Sequence, residues 1–279
     1  MGSITLTLLI VSALLACIAC ISAFLWVPGR RSAMDDELIN TSYAHRGLHG
    51  DGIPENSMAA FRKALTEGYG IEIDVQATLD DKIVVFHDNN LLRMTGFNGE
   101  IEDTTLKEIQ ELHLANSEEG VPTLEEFLRL VDGRVPLLIE IKDQKKYKRC
   151  VSLIMEQLAS YSGKYSIQSF NPFILRVLRK KYPSVARGLL SNDYVHRGKN
   201  ADLNKISRLA MTYLLVNAIC RPNFISYNVR SDINFAMKLM KKVFKVPFFA
   251  WTVDTEKTEA KANRFYDVLI FERFQRKQT

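Results

Sequence analysis

At 279 residues, with 47% hydrophobic and 25% charged side chains, the chain is long enough for one large folded domain and too apolar to be disordered. The formal charge of +5 describes an ordinary solvated surface; the denser basic stretches, 142–149 and 238–245, read as helices or helix starts, so no nucleic-acid partner is expected. Four cysteines exclude a disulfide framework: Cys17 and Cys20 lie in an apolar run, and Cys150 and Cys220 read as small buried hydrophobes without zinc-ligand spacing.

Residues 4–27 contain no charged side chain, and 24 residues of helix at ~1.5 Å each suffice to cross a hydrocarbon core of ~30 Å. A secretory signal would carry basic residues before the apolar run, and none is present. The expectation is therefore an uncleaved single-pass transmembrane helix contacting the lipid bilayer through 4–27, within an anchor at 1–29 and followed by a linker at 30–39. Arg30 and Arg31 flank its C-terminal end, so the positive-inside bias favours a cytoplasmic domain, while the acidic Asp35, Asp36 and Glu37 nearby leave the outward orientation open.

From 40 to 279, short β-prone runs alternate with amphipathic helical stretches. Strands are expected at 42–44, 70–78, 135–141, 165–170, 184–190, 223–228, 246–253 and 266–271. Eight strand-helix units in this length match a closed, TIM-like (β/α)8 barrel of the α/β class. An open doubly wound sheet would bring a G-x-G-x-x-G loop, which the sequence lacks. The run at 83–86 reads as a hairpin appended to the second strand, and 89–121 as an excursion, a candidate lid. Thr123 with Glu126 three residues on forms a capping-box start for the next helix. The apolar stretch 209–220 is too short for a second span and reads as a buried barrel helix.

Barrel chemistry gathers where strands run into their C-terminal loops. Three charged groups interrupt runs that should otherwise be apolar: His45-Arg46 after the first strand, Glu72 with Asp74 in the second, and Glu140 with Lys142 in the third. Period-two spacing puts Glu72 and Asp74 on one face of their strand. Side-by-side buried carboxylates repel, and one divalent cation removes that cost. Three oxygen ligands without cysteine or H-E-x-x-H suit a hard ion, Mg²⁺ or Ca²⁺. His45 and His87, each ending a strand, offer the acid and the base that phosphodiester cleavage needs, while Arg46 and Lys142 can offset phosphate charge. The bland alternative is a set of internal ion pairs, Glu72 with Arg46 and Glu140 with Lys142. His49, in the loop with Gly50 and Gly52, reads as a solvated residue.

The blocks Ala44-His45-Arg46-Gly47, Pro54-Glu55-Asn56-Ser57, Glu72-Ile73-Asp74-Val75, Val85-Phe86-His87-Asp88, Val121-Pro122-Thr123-Leu124, Glu140-Ile141-Lys142, Ser169-Phe170 and Ala250-Trp251-Thr252-Val253 carry a further signal. In that order and spacing, the chain resembles the glycerophosphodiester phosphodiesterase family. The resemblance implies a (β/α)8 barrel that hydrolyses glycerophosphodiesters to an alcohol and glycerol 3-phosphate, an activity of glycerol and lipid metabolism. It implies His45 and His87 as catalytic residues, Glu72, Asp74 and Glu140 as metal ligands, and Arg46 and Lys142 as phosphate contacts. Glu55 and Asn56 would support the first histidine and the metal region, and Trp251 would line the substrate side. The implied mechanism passes through a cyclic phosphate formed by the substrate's own glycerol 2-hydroxyl.

The chain departs from the family at its end, where Ile270-Phe271-Glu272-Arg273-Phe274 replaces an Asp-Pro-like ending and a final helix. The apolar run keeps open a lysophospholipid substrate, cleaved to lysophosphatidic acid. Two other classes fit less of the sequence. A phospholipase C or sphingomyelinase D barrel also resembles the site in its paired histidines and divalent ion, but the Pro54-Glu55-Asn56 and Glu140-Ile141-Lys142 blocks favour the glycerophosphodiesterase reading, and a non-catalytic lipid-binding barrel need not keep both histidines and all three carboxylates.

Overall fold

The computed structural model describes residues 2–29, 34–196 and 203–272, with the side chains of 2–4, 18, 19, 22 and 23 outside that set. Nine strands form one sheet: β1 (Tyr43–Ala44), β2 (Gly70–Ala77), β3 (Ile83–Val85), β4 (Leu137–Ile141), β5 (Tyr165–Ser169), β6 (Arg187–Ser191), β7 (Phe224–Asn228), β8 (Phe248–Val253) and β9 (Val268–Phe271). Eight of them run parallel and close into a barrel through β1–β2 and β1–β9 pairing. The expected fold class is borne out, with each expected strand found within a few residues of its place.

The ninth strand, β3, is the appended hairpin. It runs antiparallel to β2 through Val75↔Val85, Gln76↔Val84 and Ala77↔Ile83. Because β1 covers only Gly70 and Ile71 of β2, the rest of that edge is open, and β3 fills it. The rim of the barrel is thereby raised where His87 follows β3.

Side chains alternate between the barrel interior and the helix layer. Outward residues such as Ile71, Ile73, Val75, Ile139, Ile167, Leu189 and Ile225 are fully buried under helices in the main core. There Phe61, on helix Met58–Thr66, meets Phe127, on helix Leu124–Val131, edge-on at 4.6 Å. The capping box expected for the latter helix is present, with Thr123 accepting from Glu126 N and the Glu126 carboxylate accepting from Thr123 N. Cys150 and Cys220 are buried, as their sequence contexts suggest.

Inward residues of the lower barrel form a separate apolar cluster of Tyr43, Leu138, Phe224, Phe249, Val268 and Ile270. Met34 and Ile39 pack against it from below, next to the short helix Asp36–Ile39. Half of the stretch expected to be a linker, 30–39, is thus the floor of the barrel. The excursion after β3 has its own core of Phe86, Leu91, Met94, Ile101, Ile109, Leu114 and Val121.

The apolar N-terminal run forms the helix Gly2–Trp26. The expected membrane crossing is not borne out among the described residues, where no helix is long and apolar enough to cross a membrane. The end of the run is taken up by the barrel instead. Trp26 is buried, donates Nε1–H to Tyr213 O at 2.9 Å and meets Phe235 edge-on. Arg221 donates to Val27 O at 3.0 Å, and Gly29 N to Pro222 O at 2.8 Å. Leu6, Leu8, Leu9, Leu14, Leu15 and Phe24 remain exposed. Arg30 and Arg31, on which the orientation rests, and Arg273 and Phe274 lie outside the described residues.

Candidate active site

The upper barrel interior is built by the same alternation that makes the lower one apolar. On β2, Glu72, Asp74 and Gln76 face inward; on β4, Leu138 is followed by Glu140 and, one step past the strand, by Lys142. Register aligns them, with Asp74 paired to Glu140 across the two strands. Glu72, Asp74 and Glu140 are all buried and can bring one oxygen each to within 4.8 Å of one another.

Two cations crowd this cluster. Lys142 Nζ lies 2.8 Å from Glu140 and 3.4 Å from Asp74, and Arg46 Nε lies 3.4 Å from Asp74. The Glu140–Lys142 pair is as the bland reading had it. Arg46 differs, because its backbone N–H, not its guanidinium, reaches Glu72 at 3.0 Å, while Nη1 donates to Glu55 at 2.9 Å.

The loop that presents Arg46 is under backbone constraint. Arg46 and Asn56 hold positive φ angles of 56° and 52°, a conformation that favours glycine and costs a non-glycine residue about 1 kcal/mol or more. Asn56 N donates to Arg46 O at 2.9 Å, tying the two together, and Asn56 Nδ2 donates to Asp74 Oδ2 at 3.0 Å. Gly47 next door has φ 76°, and a Cβ there would lie 2.8 Å from Ala60 Cβ, so only glycine lets this loop lie on the helix below.

Charge is shared unequally in the cluster. Burial pushes the Glu72 carboxyl well above the usual range, and the neighbouring Asp74 and Glu140 push the same way. Burial acts on Asp74 likewise, but Lys142, His87 and Arg46 outweigh it and hold Asp74 low. Glu140 is raised by burial despite Lys142, and Lys142 is raised because Glu140 and Asp74 outweigh its own burial. Asp74 Oδ1 and Asn56 Oδ1 are buried without a hydrogen-bond partner among the described residues. Three converging carboxylates, one with a buried oxygen that Lys142 approaches at 3.4 Å but no hydrogen bond satisfies, and two reluctant to ionise, fit a hard divalent cation held by Glu72, Asp74 and Glu140.

The two histidines flank this cluster. His45, one residue beyond β1, has Nε2 at 4.0 Å from Glu72 and Nδ1 at 3.3 Å from Glu272. His87, one residue past Phe86, whose N–H donates to Asp74 O, hydrogen-bonds through Nδ1 to Asp88 Oδ1 at 2.6 Å. Burial pushes the His87 imidazole below its ordinary value, against the pull of Asp74. Asp88 in turn accepts from Arg93, which also reaches Glu55. His87, Asp88, Arg93, Glu55 and Arg46 therefore form one continuous chain around the mouth.

Trp251 stands apart from the charged residues. It faces inward on β8, meets Phe170 edge-on at 5.5 Å, and its buried Nε1 has no hydrogen-bond partner among the described residues. It lines the opposite wall of the same mouth.

Several contributors escaped the sequence reading. Gln168, inward on β5, accepts from Ser226 at 2.6 Å and reaches Glu72 at 3.4 Å; its period-two spacing from Ser166 was the available signal. Arg93 comes from the excursion, where no periodicity marks it. His49, expected to be solvated, is buried at 8% exposure with Nε2 at 3.6 Å from Glu272. The glycines that follow form their own tight turn, in which Gly50 and Ile53 pair with each other and Asp51 and Gly52 stay exposed, while the ring before it is buried.

Known proteins resemble this chain in sequence and in fold. The glycerophosphoryl diester phosphodiesterase family model matches residues 45–271. The glycerophosphodiester phosphodiesterase of Bacillus altitudinis is 34% identical over 56% of this chain and 68% of its own length. The Bacillus subtilis protein YhdW is 31% identical over 78% of this chain and 88% of its own. Among solved structures, a glycerophosphodiester phosphodiesterase from Thermotoga maritima superposes with a TM-score of 0.64 at 25% identity, covering 83% of this chain and 93% of that one. A phosphodiesterase of Oleispira antarctica, in complex with its product sn-glycerol-3-phosphate, shares the fold at a TM-score of 0.68 and 22% identity, covering 83% and 92%. A family match over residues 45–271, nearly the whole barrel, makes this chain an enzyme of the glycerophosphoryl diester phosphodiesterase family.

Proposed function

We propose that the enzyme hydrolyses glycerophosphodiesters to an alcohol and glycerol 3-phosphate with one divalent cation, Mg²⁺ or Ca²⁺, at Glu72, Asp74 and Glu140. The observation that carries this reading is the buried triad of carboxylates flanked by His45 and His87. The product bound in the Oleispira antarctica structure supports the same substrate class. When bound, the cation supplies charge that polarises the phosphate and favours ionisation of the attacking hydroxyl.

The remaining steps fall to the protein's own side chains. One histidine accepts the proton of the glycerol 2-hydroxyl as its oxygen bonds to phosphorus. The other donates a proton to the alcohol oxygen as the bond from phosphorus to that oxygen breaks. Water then opens the resulting cyclic phosphate with the two roles exchanged. Burial favours the neutral form of His87, in which one ring nitrogen can accept a proton. Arg46 and Lys142 offset phosphate charge, Glu55 and Asn56 hold Arg46 and Asp74 in place, and Trp251 offers an apolar wall to the glycerol side.

A second reading concerns the substrate's size. The exposed apolar side chains of Gly2–Trp26 favour attachment to a bilayer, and if that helix crosses it, Arg30 and Arg31 favour a barrel on the cytoplasmic side. A barrel so held would meet lysophospholipids and release lysophosphatidic acid.

Turnover by the full chain of glycerophosphocholine and lysophosphatidylcholine, each with Mg²⁺, Ca²⁺ or chelator, tests both. Chelator-sensitive hydrolysis is expected, and His45→Ala or His87→Ala should lose on the order of 10²–10⁴ in rate with the fold retained. Chelator-resistant turnover would sink the metal assignment. Hydrolysis of glycerophosphocholine alone would remove the lysolipid reading.

A further inference from the structure

Closure of the barrel sets a carboxylate behind His45. Tyr43 pairs with Ile270 and Ala44 with Phe271. His45 N donates to Phe271 O at 2.8 Å, so the ladder continues past the ends of both strands. The next residue on each, His45 and Glu272, shares the inward face at the rim. On the other side Ala44 pairs with Ile71, which sets Glu72 beside the same ring.

The imidazole thus lies between two carboxylates, and the two contacts differ. Nδ1 is 3.3 Å from Glu272 Oε2, within hydrogen-bond range, whereas Nε2 is 4.0 Å from Glu72 Oε2, outside it. The ring is 14% exposed and Glu272 is 23% exposed, so water competes only in part for the contact. The other oxygen of Glu272 faces His49 Nε2 at 3.6 Å, from a ring that is itself buried.

We propose that Glu272 is a positioning residue for His45. By accepting the Nδ1 proton it fixes the tautomer and turns Nε2 toward the carboxylate cluster, where proton exchange with substrate takes place. An imidazole with two exchangeable nitrogens needs such a partner to present one of them reproducibly. His87 has an analogous partner in Asp88, so each proposed acid-base histidine is held at Nδ1 by a carboxylate. This inference rests on the proposed glycerophosphodiester hydrolysis.

The test compares the full-length wild type with Glu272→Gln, which keeps the shape of the side chain, and Glu272→Leu, which removes the acceptor. Glycerophosphocholine turnover is measured at saturating Mg²⁺. A residue acting through His45 should lower kcat by about tenfold in the glutamine variant and on the order of 100-fold in the leucine variant, with KM and the Mg²⁺ half-activation concentration unchanged. Thermal unfolding of the near-isosteric glutamine variant should match wild type. The inference is overturned if kcat of both variants stays within about threefold of wild type, or if KM or the Mg²⁺ requirement rises as much as kcat falls. An inactive wild type would count against the functional reading and this inference together, whereas active wild type with unchanged variants sinks this inference alone.

Discussion

The barrel interior is two layers stacked along the same strands, and a step of two residues crosses between them. Tyr43 is followed by His45, Leu138 by Glu140, Phe249 by Trp251 and Ile270 by Glu272. The lower layer is apolar, with Phe224 stacked on Phe249 at 4.4 Å and Tyr43 on Phe249 at 6.1 Å. Two polar groups enter it: Tyr43 donates to Leu38 O at 2.9 Å, and Ser166, paired with Leu138, keeps a buried hydroxyl without a hydrogen-bond partner among the described residues. The upper layer holds three buried carboxylates with two cations, and ionising Glu72 there is unfavourable. Burial of charge is costly unless paired, whereas burial of rings is favourable. The lower half of each strand therefore holds the fold together, and the upper half uses part of that stability to hold a reactive constellation.

The largest effect that would expose this division is at Phe224. Its ring fills the space left by Gly188 on the adjacent strand, where a Cβ would lie 2.1 Å from Phe224 Cε2. Phe224→Ala opens a cavity in the rigid floor and is expected to cost about 3–5 kcal/mol of unfolding free energy, with kcat of the folded protein little changed. Urea unfolding checks it. A cost below about 1 kcal/mol would mean that the floor repacks freely and that stability is not concentrated there.

Glu72 gives the opposite result if the comparison holds. Glu72→Gln should raise the Mg²⁺ concentration for half-maximal activity by about 10–100-fold, because a ligand charge is lost. Without metal, the same variant should unfold no earlier than wild type. The sign follows from the raised carboxyl: above its ordinary value of 4.5 the unfolded chain releases a proton that folded Glu72 retains, so stability falls as pH rises. The amide removes that liability at neutral pH. A metal-free variant clearly less stable than wild type would make the upper layer a stabilising element.

Much of this was legible in the sequence because parallel strands are short, β-branched and interrupted only where function demands. Ile71-Glu72-Ile73-Asp74-Val75 announces both its strand and its inward carboxylates, and His45 and Glu140 follow from the same alternation. Glu272 was not legible as a partner of His45, since the contact needs the last strand closed onto the first, 227 positions away in sequence. His49 misled because glycine neighbours usually mark solvated turns, and this turn is solvated at Asp51 and Gly52, but the ring that precedes it is buried beside Glu272. Arg93 lies in an excursion whose packing around Leu91, Met94 and Ile101 has no period to read. The apolar helix was legible as a helix, but the docking of Trp26 against Tyr213 and Phe235 depends on barrel surface that no local pattern reveals.

The smallest expected effect lies at the outer edge of the upper layer, where Asp88 tests whether charge there contributes any stability. Burial pushes its carboxyl up, but hydrogen bonds from Arg93 and His87 outweigh this and hold it at about 2. A depressed carboxyl contributes stability that is present above its ordinary value of 3.8 and lost as pH falls through about 2. The side chain is 25% exposed, and solvent screening limits the contribution to about 1 kcal/mol or less. Asp88→Asn should therefore be slightly less stable than wild type at neutral pH, with the gap closing as the solution is acidified from about pH 4 to about pH 2. Urea unfolding of both proteins across that range measures the gap directly. If the gap stays constant, the carboxylate's shape and hydrogen bonds matter to the fold and its charge does not, and Asp88 then belongs with the lower layer's kind of stability despite its position beside His87.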